Sequence, residues 1–280
     1  MAKFSKYWTY EPALPAAAIF TLIFAVLSIY HTFRLFKTRT WFCTPLVIGG
    51  FFEVIGFGAR AVGNKKPDIL LPFIIQSLLI LLAPILFAAS AYMILSRLIR
   101  AVGGESYSVV RVHWVTKIFV GGDILCFLVQ AGGGAVLSGA DTASAVSMGQ
   151  NLILAGLLIQ MVVFGFFLVI AVVFHKRIRA RPTGQSLNSD LNLERFMVML
   201  YSVSLLITFR NLFRVIEYAM GKDAYLLQNE WPIYAFDGFP MIVVLVVCSH
   251  WYTGIMQSGP VNIDLEGYGN SALISQRSYK

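Results

Sequence analysis

Long apolar stretches dominate this chain, and short polar segments separate them. Three of the stretches, 12–33, 69–96 and 142–174, contain no charged residue. The hydrocarbon core of a bilayer needs about 20 apolar residues per helix, and each of these stretches is long enough. The pattern predicts membrane-spanning helices, because a soluble domain of this size has no room to bury so many apolar runs.

Seven spans fit the chain, with loop-like segments such as KTRT, GNKKPD and SGADTAS between them. They are predicted at 13–33, 42–62, 69–96, 117–138, 150–174, 196–219 and 232–253. Prolines at 72 and 84 mark possible kinks in the third span. The predicted fold class is all-α and polytopic. It comprises a seven-helix transmembrane domain at 1–253 and a polar cytosolic tail at 254–280.

Composition agrees with a membrane protein and excludes one class of partner. The chain has 280 residues, of which 58% are hydrophobic and 13% are charged, whereas about a quarter of the residues in soluble domains are charged. The net charge of +8 does not indicate nucleic-acid binding, because that role needs a soluble basic domain. The expected partners are membrane lipids.

The distribution of Lys and Arg predicts the orientation. The loops and flanks after the first, third and fifth spans hold eleven of these residues, and the N-terminus with the remaining loops holds five. We therefore expect the N-terminus outside and the C-terminus in the cytosol. On the cytosolic face, each basic residue near the surface attracts anionic lipid by about 1 kcal/mol.

The sixth predicted span contains the segment RNLFRVIEY, which places Arg210, Arg214 and Glu217 within the membrane. A central Arg costs about 2.5–3.5 kcal/mol on the insertion scale, while each Leu, Ile, Phe or Val returns about 0.3–0.6 kcal/mol. The span is marginal by itself and needs polar partners on other helices.

Such partners occur at helical spacing in other spans. Residues three, four or seven positions apart share a helix face, and six of the seven spans carry a polar residue that can face inward. The candidate substrate-path or polar-network residues are Glu53, Arg60, Gln76, Asp123, Gln130, Gln160, Arg210, Arg214, Glu217 and Asp237. We expect the acids to face the three arginines and the cluster to line a cavity beneath the outer surface. The alternative is that these are structural pairs that fix helix register.

Other chemistry finds little support in the sequence. The three cysteines lie in or beside spans, so no disulfide framework is predicted. The four histidines all fall near the cytosolic side without an H-x-x-x-H pair, so no metal site is predicted. No G-x-x-x-x-G-K-[ST] motif occurs, so no ATP site of that type and no cofactor are expected.

An ordered set of motifs resembles the fungal lipid-translocating exporter family. The motifs are GFFEVIGFGAR, QSLLILLAPILFAASAYMILSRLI, DILCFLVQAGGG, GLLIQ, FRNLFRVIEYAMG and YAFDGFPM, and they extend through all seven spans. The chain has Phe57 where this family commonly has Tyr, and Trp251 where it often has Pro. The resemblance implies a seven-span protein linked to resistance to toxic sterols and sphingoid bases, with relatives linked to porphyrin uptake.

Three functions are therefore weighed at this stage. The first is a transporter or floppase for amphiphilic lipids in the plasma membrane, in which the acids hold a cationic amine. The second is a seven-helix lipid or stress sensor, although a DRY-like triplet is missing from the end of the third span, which reads LSRLIR. The third is an intramembrane metal-dependent lipid hydrolase. The first is preferred, with no enzymatic activity expected.

Overall fold

The computed structural model describes residues 12–65, 67–139, 142–184, 192–220 and 229–252. Every regular element in these ranges is helical, and seven helices are long and apolar enough to cross a membrane. This confirms the predicted all-α, seven-span fold class. The helices are α1 (Leu14–Thr38), α2 (Thr44–Lys65), α3 (Leu70–Ala101), α4 (Val112–Ser138), α5 (Ala143–Ala180), α6 (Leu193–Ala219) and α7 (Ile233–Trp251).

Most helices extend beyond the predicted spans. The clearest case is α5, whose 38 residues correspond to a length of about 57 Å, against about 30 Å for the hydrocarbon core. The basic segment KRIRA, expected in a loop, is therefore the last turn and a half of this helix. The predicted polar tail at 254–280 lies outside the described residues.

The helix ends follow local capping chemistry. Thr142 and Asn192 are the N-cap residues of α5 and α6. Their side chains accept hydrogen bonds from the backbone N–H groups of Ala145 and Arg195, respectively. Arg39 ends α1 with φ of 52°, in the left-handed region that terminates helices.

Consecutive helices pack against one another, and α3 lies at the centre of the bundle. It contacts α2, α4 and α6, while α5 packs between α4 and α6, and α1 packs between α2 and α7. We call the end where α1 begins the proximal end and the end where α1 finishes the distal end. In the predicted orientation the proximal end is extracellular.

Small residues permit the closest helix contacts. A Cβ added to Gly133 of α4 would lie 2.8 Å from the backbone oxygen of Gly149 in α5, and one added to Gly56 of α2 would lie 2.6 Å from the side chain of Ile80. By contrast, a Cβ added to Gly132 or Gly134, on either side of Gly133, would meet no neighbouring atom within 4 Å. Gly56 and Gly133 therefore lie at close helix contacts of the kind that small residues permit.

The outward faces of the helices are apolar. In α1, Leu22, Val26, Ile29 and Phe33 are all exposed, and they recur at helical spacing along one side. A soluble protein rarely exposes so continuous an apolar surface, so this surface faces lipid. The chain is therefore a multi-pass membrane protein.

Candidate functional site

Two arginines and two acids of α6 and α7 form one buried group, which we call the arginine cluster: Arg210, Arg214, Glu217 and Asp237. The carboxylate of Asp237 bridges both arginines, with one oxygen on Arg210 Nε and the other on Arg214 Nη2. Arg214 Nη1 also donates to Glu217 Oε2 at 2.8 Å. Both Arg210 and Asp237 are only 1% exposed, so the ion pairs are shielded from water.

A proline in α3 leaves free a backbone carbonyl that Arg210 contacts. Pro84 lies inside this helix and has no N–H, so it cannot donate to the carbonyl of Ile80 four residues earlier. Arg210 Nη2 donates to that carbonyl oxygen at 2.9 Å. The proline thus leaves an acceptor free in the membrane interior, and the arginine satisfies it.

Irregular helical geometry positions Asp237. Residues Ile233–Gly238 form a π-helical turn, and α-helix resumes at Phe239. Pro240 is the second residue of this α-helix. Its ring and its missing N–H are incompatible with a regular α-helical turn in the preceding residues. A Cβ on Gly238 would lie 2.7 Å from the ring of Phe20, so glycine lets this turn pack closely on α1. Such π-helical turns frequently occur at functional sites.

A second group lies at the proximal end, and we call it the Arg60 group: Arg60, Gln76, Glu230 and Tyr234. Arg60 Nη2 lies 3.0 Å from Glu230 Oε1, and Arg60 Nη1 donates to Gln76 Oε1 at 3.3 Å. The Tyr234 hydroxyl donates to Glu230 Oε1 at 2.7 Å. Glu230 Oε2 also accepts from the backbone N–H of Ala13 at 2.6 Å. The group therefore ties α2, α3 and α7 to the start of α1.

The other predicted polar residues of α4 and α5 pair away from the arginines. Gln130 Nε2 donates to Gln160 Oε1 at 2.8 Å. Asp123 Oδ2 accepts from the hydroxyl of Tyr92 at 2.7 Å, and Asp123 Oδ1 has no hydrogen-bond partner among the described residues. The rings of Phe119, Phe164 and Phe167 surround Tyr92 with centroids 4.6–6.1 Å away.

Glu53 of α2 lies beside the arginine cluster without joining its hydrogen bonds. Its side chain is 1% exposed, and within the described part of the chain its Oε2 atom has no hydrogen-bond partner. It interacts electrostatically with Asp237, Arg210 and Arg214. It is the one acid in this region that is not bonded to a base in the described residues.

The structure brings the ten predicted residues inward but divides them. The arginine cluster with Glu53, the Arg60 group, the Tyr92–Asp123 pair and the Gln130–Gln160 pair are distinct sets of contacts. The expectation that Asp123 faces an arginine is wrong, because its partner is Tyr92. Arg60 pairs with Glu230 rather than with a predicted acid.

The residues of the arginine cluster pair with one another, and those of the Arg60 group do the same. An open groove of about 410 Å³ lies between α5 and α6. None of its lining residues belongs to the predicted set; they are Leu168, Val198, Tyr201, Ser202, Leu205 and Thr208.

Sequence reasoning missed three participants: Tyr92, Glu230 and Tyr234. Glu230 lies in the loop before the seventh predicted span. The segment NEWPIY contains both Glu230 and Tyr234, and Tyr234 lies about one helical turn before Asp237. Tyr92 lies in the segment AASAY of the third span, among small residues. A polar side chain among small residues in a span was the available signal.

The histidines have partners other than a metal. Both ring nitrogens of His31 are engaged, at 2.8 Å from the Tyr252 hydroxyl and 2.9 Å from the carbonyl of Leu245. His175 lies 3.1 Å from the Tyr201 hydroxyl and 3.3 Å from Glu194. In the described ranges no three His, Cys, Asp or Glu side chains converge to hold a metal ion.

Comparison with known proteins agrees with this architecture. The model of the RTA1 like protein family matches residues 46–259. Protein RTA1 of Saccharomyces cerevisiae is 32% identical over 267 residues, covering 86% of this chain and 83% of that protein. Protoporphyrin uptake protein 1 of the same yeast is 34% identical over 207 residues, covering 73% of this chain and 66% of its own length.

A third relative is more distant in sequence. The Sphingoid long-chain base transporter RSB1 of Saccharomyces cerevisiae is 24% identical over 289 residues, covering 91% of this chain and 75% of that protein. No solved structure matches the chain. The seven apolar helices and their buried polar groups define a polytopic membrane protein, and the family match is specific. This chain belongs to the RTA1 like protein family.

Proposed function

We propose that this chain moves amphiphilic lipids across the membrane, with sphingoid-base-like molecules and toxic amphiphiles as its substrate class, and so confers resistance to them. The observation that carries the proposal is the buried arginine cluster with Glu53 beside it. Ionisable groups in a membrane interior are costly, and they mark substrate and ion pathways. The names of two relatives, one a sphingoid base transporter and one a porphyrin uptake protein, support the same class of activity.

The substrate chemistry follows from the two acids with free oxygens. A sphingoid base has a cationic amine and an apolar chain. Glu53 and Asp123 are buried carboxylic groups, and each has an oxygen without a hydrogen-bond partner in the described residues. An ammonium group would supply the missing donor and charge. The apolar tail would lie along the lipid-facing surfaces of the helices.

The orientation and location remain part of this proposal. With the N-terminus outside, the Arg60 group lies near the outer surface and the Tyr92–Asp123 pair lies deeper in the membrane. We place the protein in the plasma membrane, where export of a toxic amphiphile would protect the cell. No enzymatic step is needed for this function.

The test is translocation of a fluorescent sphingoid base in proteoliposomes, with and without a pH gradient. Wild type is compared with Asp123→Asn and Asp237→Asn, and with Glu105→Gln as a matched amide substitution at a residue whose side chain is 65% exposed. We expect protein-dependent movement that Glu105→Gln retains and both aspartate variants reduce, at equal amounts of folded protein. Movement no faster than in empty liposomes would refute transport.

A lipid or stress sensor is the second candidate, favoured by the ion pairs that join all four residues of the arginine cluster in the described conformation. It predicts saturable binding of the same fluorescent base by detergent-purified protein, without translocation. The binding assay on the preparation used for the liposomes therefore separates the two functions.

A further inference from the structure

The arginine cluster is electrically balanced without Glu53. Arg210 and Arg214 contribute two positive charges, and Asp237 and Glu217 contribute two negative charges through the contacts that join them. Within the described residues, Arg60 forms its ion pair with one acid, Glu230.

Among the described residues, Glu53 is therefore one acid more than the bases of these two groups require. The charged groups facing it are Arg210 and Arg214 from α6 and Asp237 from α7. The two helices α1 and α3 also pack on α2, and their described residues include no Asp or Glu. Their basic residues and His31 lie toward the distal end, away from Glu53.

An ionised Glu53 would leave a net negative charge in the membrane interior. Its side chain is 1% exposed, and Oε2 receives no hydrogen bond from any described residue. Burying an uncompensated carboxylate is so costly that such a group takes up a proton instead. One further positive charge beside Glu53 would therefore balance the charges of the described residues in this region.

We propose that Glu53 holds a proton in this conformation and exchanges it for the ammonium group of a cationic amphiphile. In the exchange the carboxylic O–H bond breaks and the proton goes to water. The ammonium N–H then donates to the carboxylate, so the total charge of the site is unchanged. The choice of a cationic amphiphile rests on the proposed function.

Asp123 is a useful contrast within the same chain. It is also buried with a free oxygen, but the hydroxyl of Tyr92 donates to its other oxygen, and it forms no ion pair with a described arginine. Glu53, by contrast, interacts electrostatically with the two arginines whose charge balance the exchange would preserve.

The first test asks whether the proton is present. Infrared spectra of the full-length protein in detergent at neutral pH are recorded for wild type, Glu53→Gln and Glu105→Gln, in H₂O and D₂O. We expect a protonated-carboxyl C=O band, shifted in D₂O, that Glu53→Gln loses and Glu105→Gln retains. Because Gln has the shape of a neutral Glu, the variant keeps the balanced cluster and folds. A spectrum in which Glu53→Gln removes only carboxylate absorption would overturn the proposal.

The second test asks whether the proton exchanges. Sphingosine is added to weakly buffered detergent solutions of the three proteins, and a pH indicator records released protons; its N-acylated, uncharged derivative ceramide is the matched ligand. We expect sphingosine to release a proton from wild type and Glu105→Gln, with complete loss in Glu53→Gln and no release by ceramide. A carboxyl band without release would overturn the exchange. Release without transport in liposomes would support the exchange and refute the proposed function.

Discussion

Asp237 is the residue whose loss the structure lets us evaluate most completely. Its two carboxylate oxygens satisfy two arginines at once, and it is 1% exposed. The Asp237→Asn variant keeps the shape but loses the charge, and its amide turns an NH₂ group toward one guanidinium. Arg214 retains Glu217 at 2.8 Å. Arg210 retains only the neutral acceptors Ile80 and Asn211.

Arg210 therefore becomes the uncompensated charge. Removing one partner of a buried ion pair costs about 3–5 kcal/mol. In the proposed scheme Glu53 ionises in this variant and restores part of the balance, so we expect the lower end, about 3 kcal/mol. That loss lowers the ratio of folded to unfolded protein roughly a hundredfold.

A double-mutant cycle tests this reasoning. Asp237→Asn, Arg210→Gln and the double variant are unfolded by SDS titration in mixed micelles and followed by circular dichroism, with Glu105→Gln as the surface control. The double variant leaves Arg214 and Glu217 as a balanced pair, so it should be more stable than the sum of the single losses predicts, by about 1–3 kcal/mol. Additivity to within about 0.5 kcal/mol would refute the view that Arg210 is the orphaned charge.

Two further predictions concern contacts that hold the helices together. Gly133→Ala should destabilise the protein by about 1–3 kcal/mol, because the added Cβ would lie 2.8 Å from the backbone oxygen of Gly149. Gly132→Ala should be neutral or stabilising by up to about 1 kcal/mol, and equal SDS midpoints for the two variants would contradict this. Glu230→Gln should cost about 1–3 kcal/mol in the same titration, because Arg60 loses its charged partner. An unchanged midpoint would show that the pair of Arg60 and Glu230 adds no stability.

The sequence predicted the fold class because a bilayer imposes simple requirements. A helix forms the hydrogen bonds of its own backbone groups internally, and an apolar run of sufficient length predicts each membrane-spanning helix. The seven helices are confirmed within the described residues. Their ends differed from prediction because helices continue into the interface, where length is not limited by the hydrocarbon core, as α5 shows.

The inward faces also followed from spacing, but the pairings did not. Nine of the ten predicted polar residues are buried, and Arg214 is 12% exposed. Periodicity shows which residues share one helix face; it carries no information on which helix lies opposite. Spacing therefore did not predict that Asp123 accepts a hydrogen bond from Tyr92, or that Arg60 forms an ion pair with Glu230, which precedes α7.

The sequence alone determined that this protein is a seven-helix membrane protein with ionisable groups in its interior, because hydropathy and helical period are local properties of the chain. Tertiary structure decided which charges cancel. The carbonyl of Ile80 that Pro84 leaves free accepts a hydrogen bond from Arg210, 130 positions further along the chain, and the π-helical turn places Asp237 between two arginines. Only those contacts identify Glu53 as the acid near the arginine cluster that pairs with no described base, because charge balance depends on distances between helices rather than on residue order.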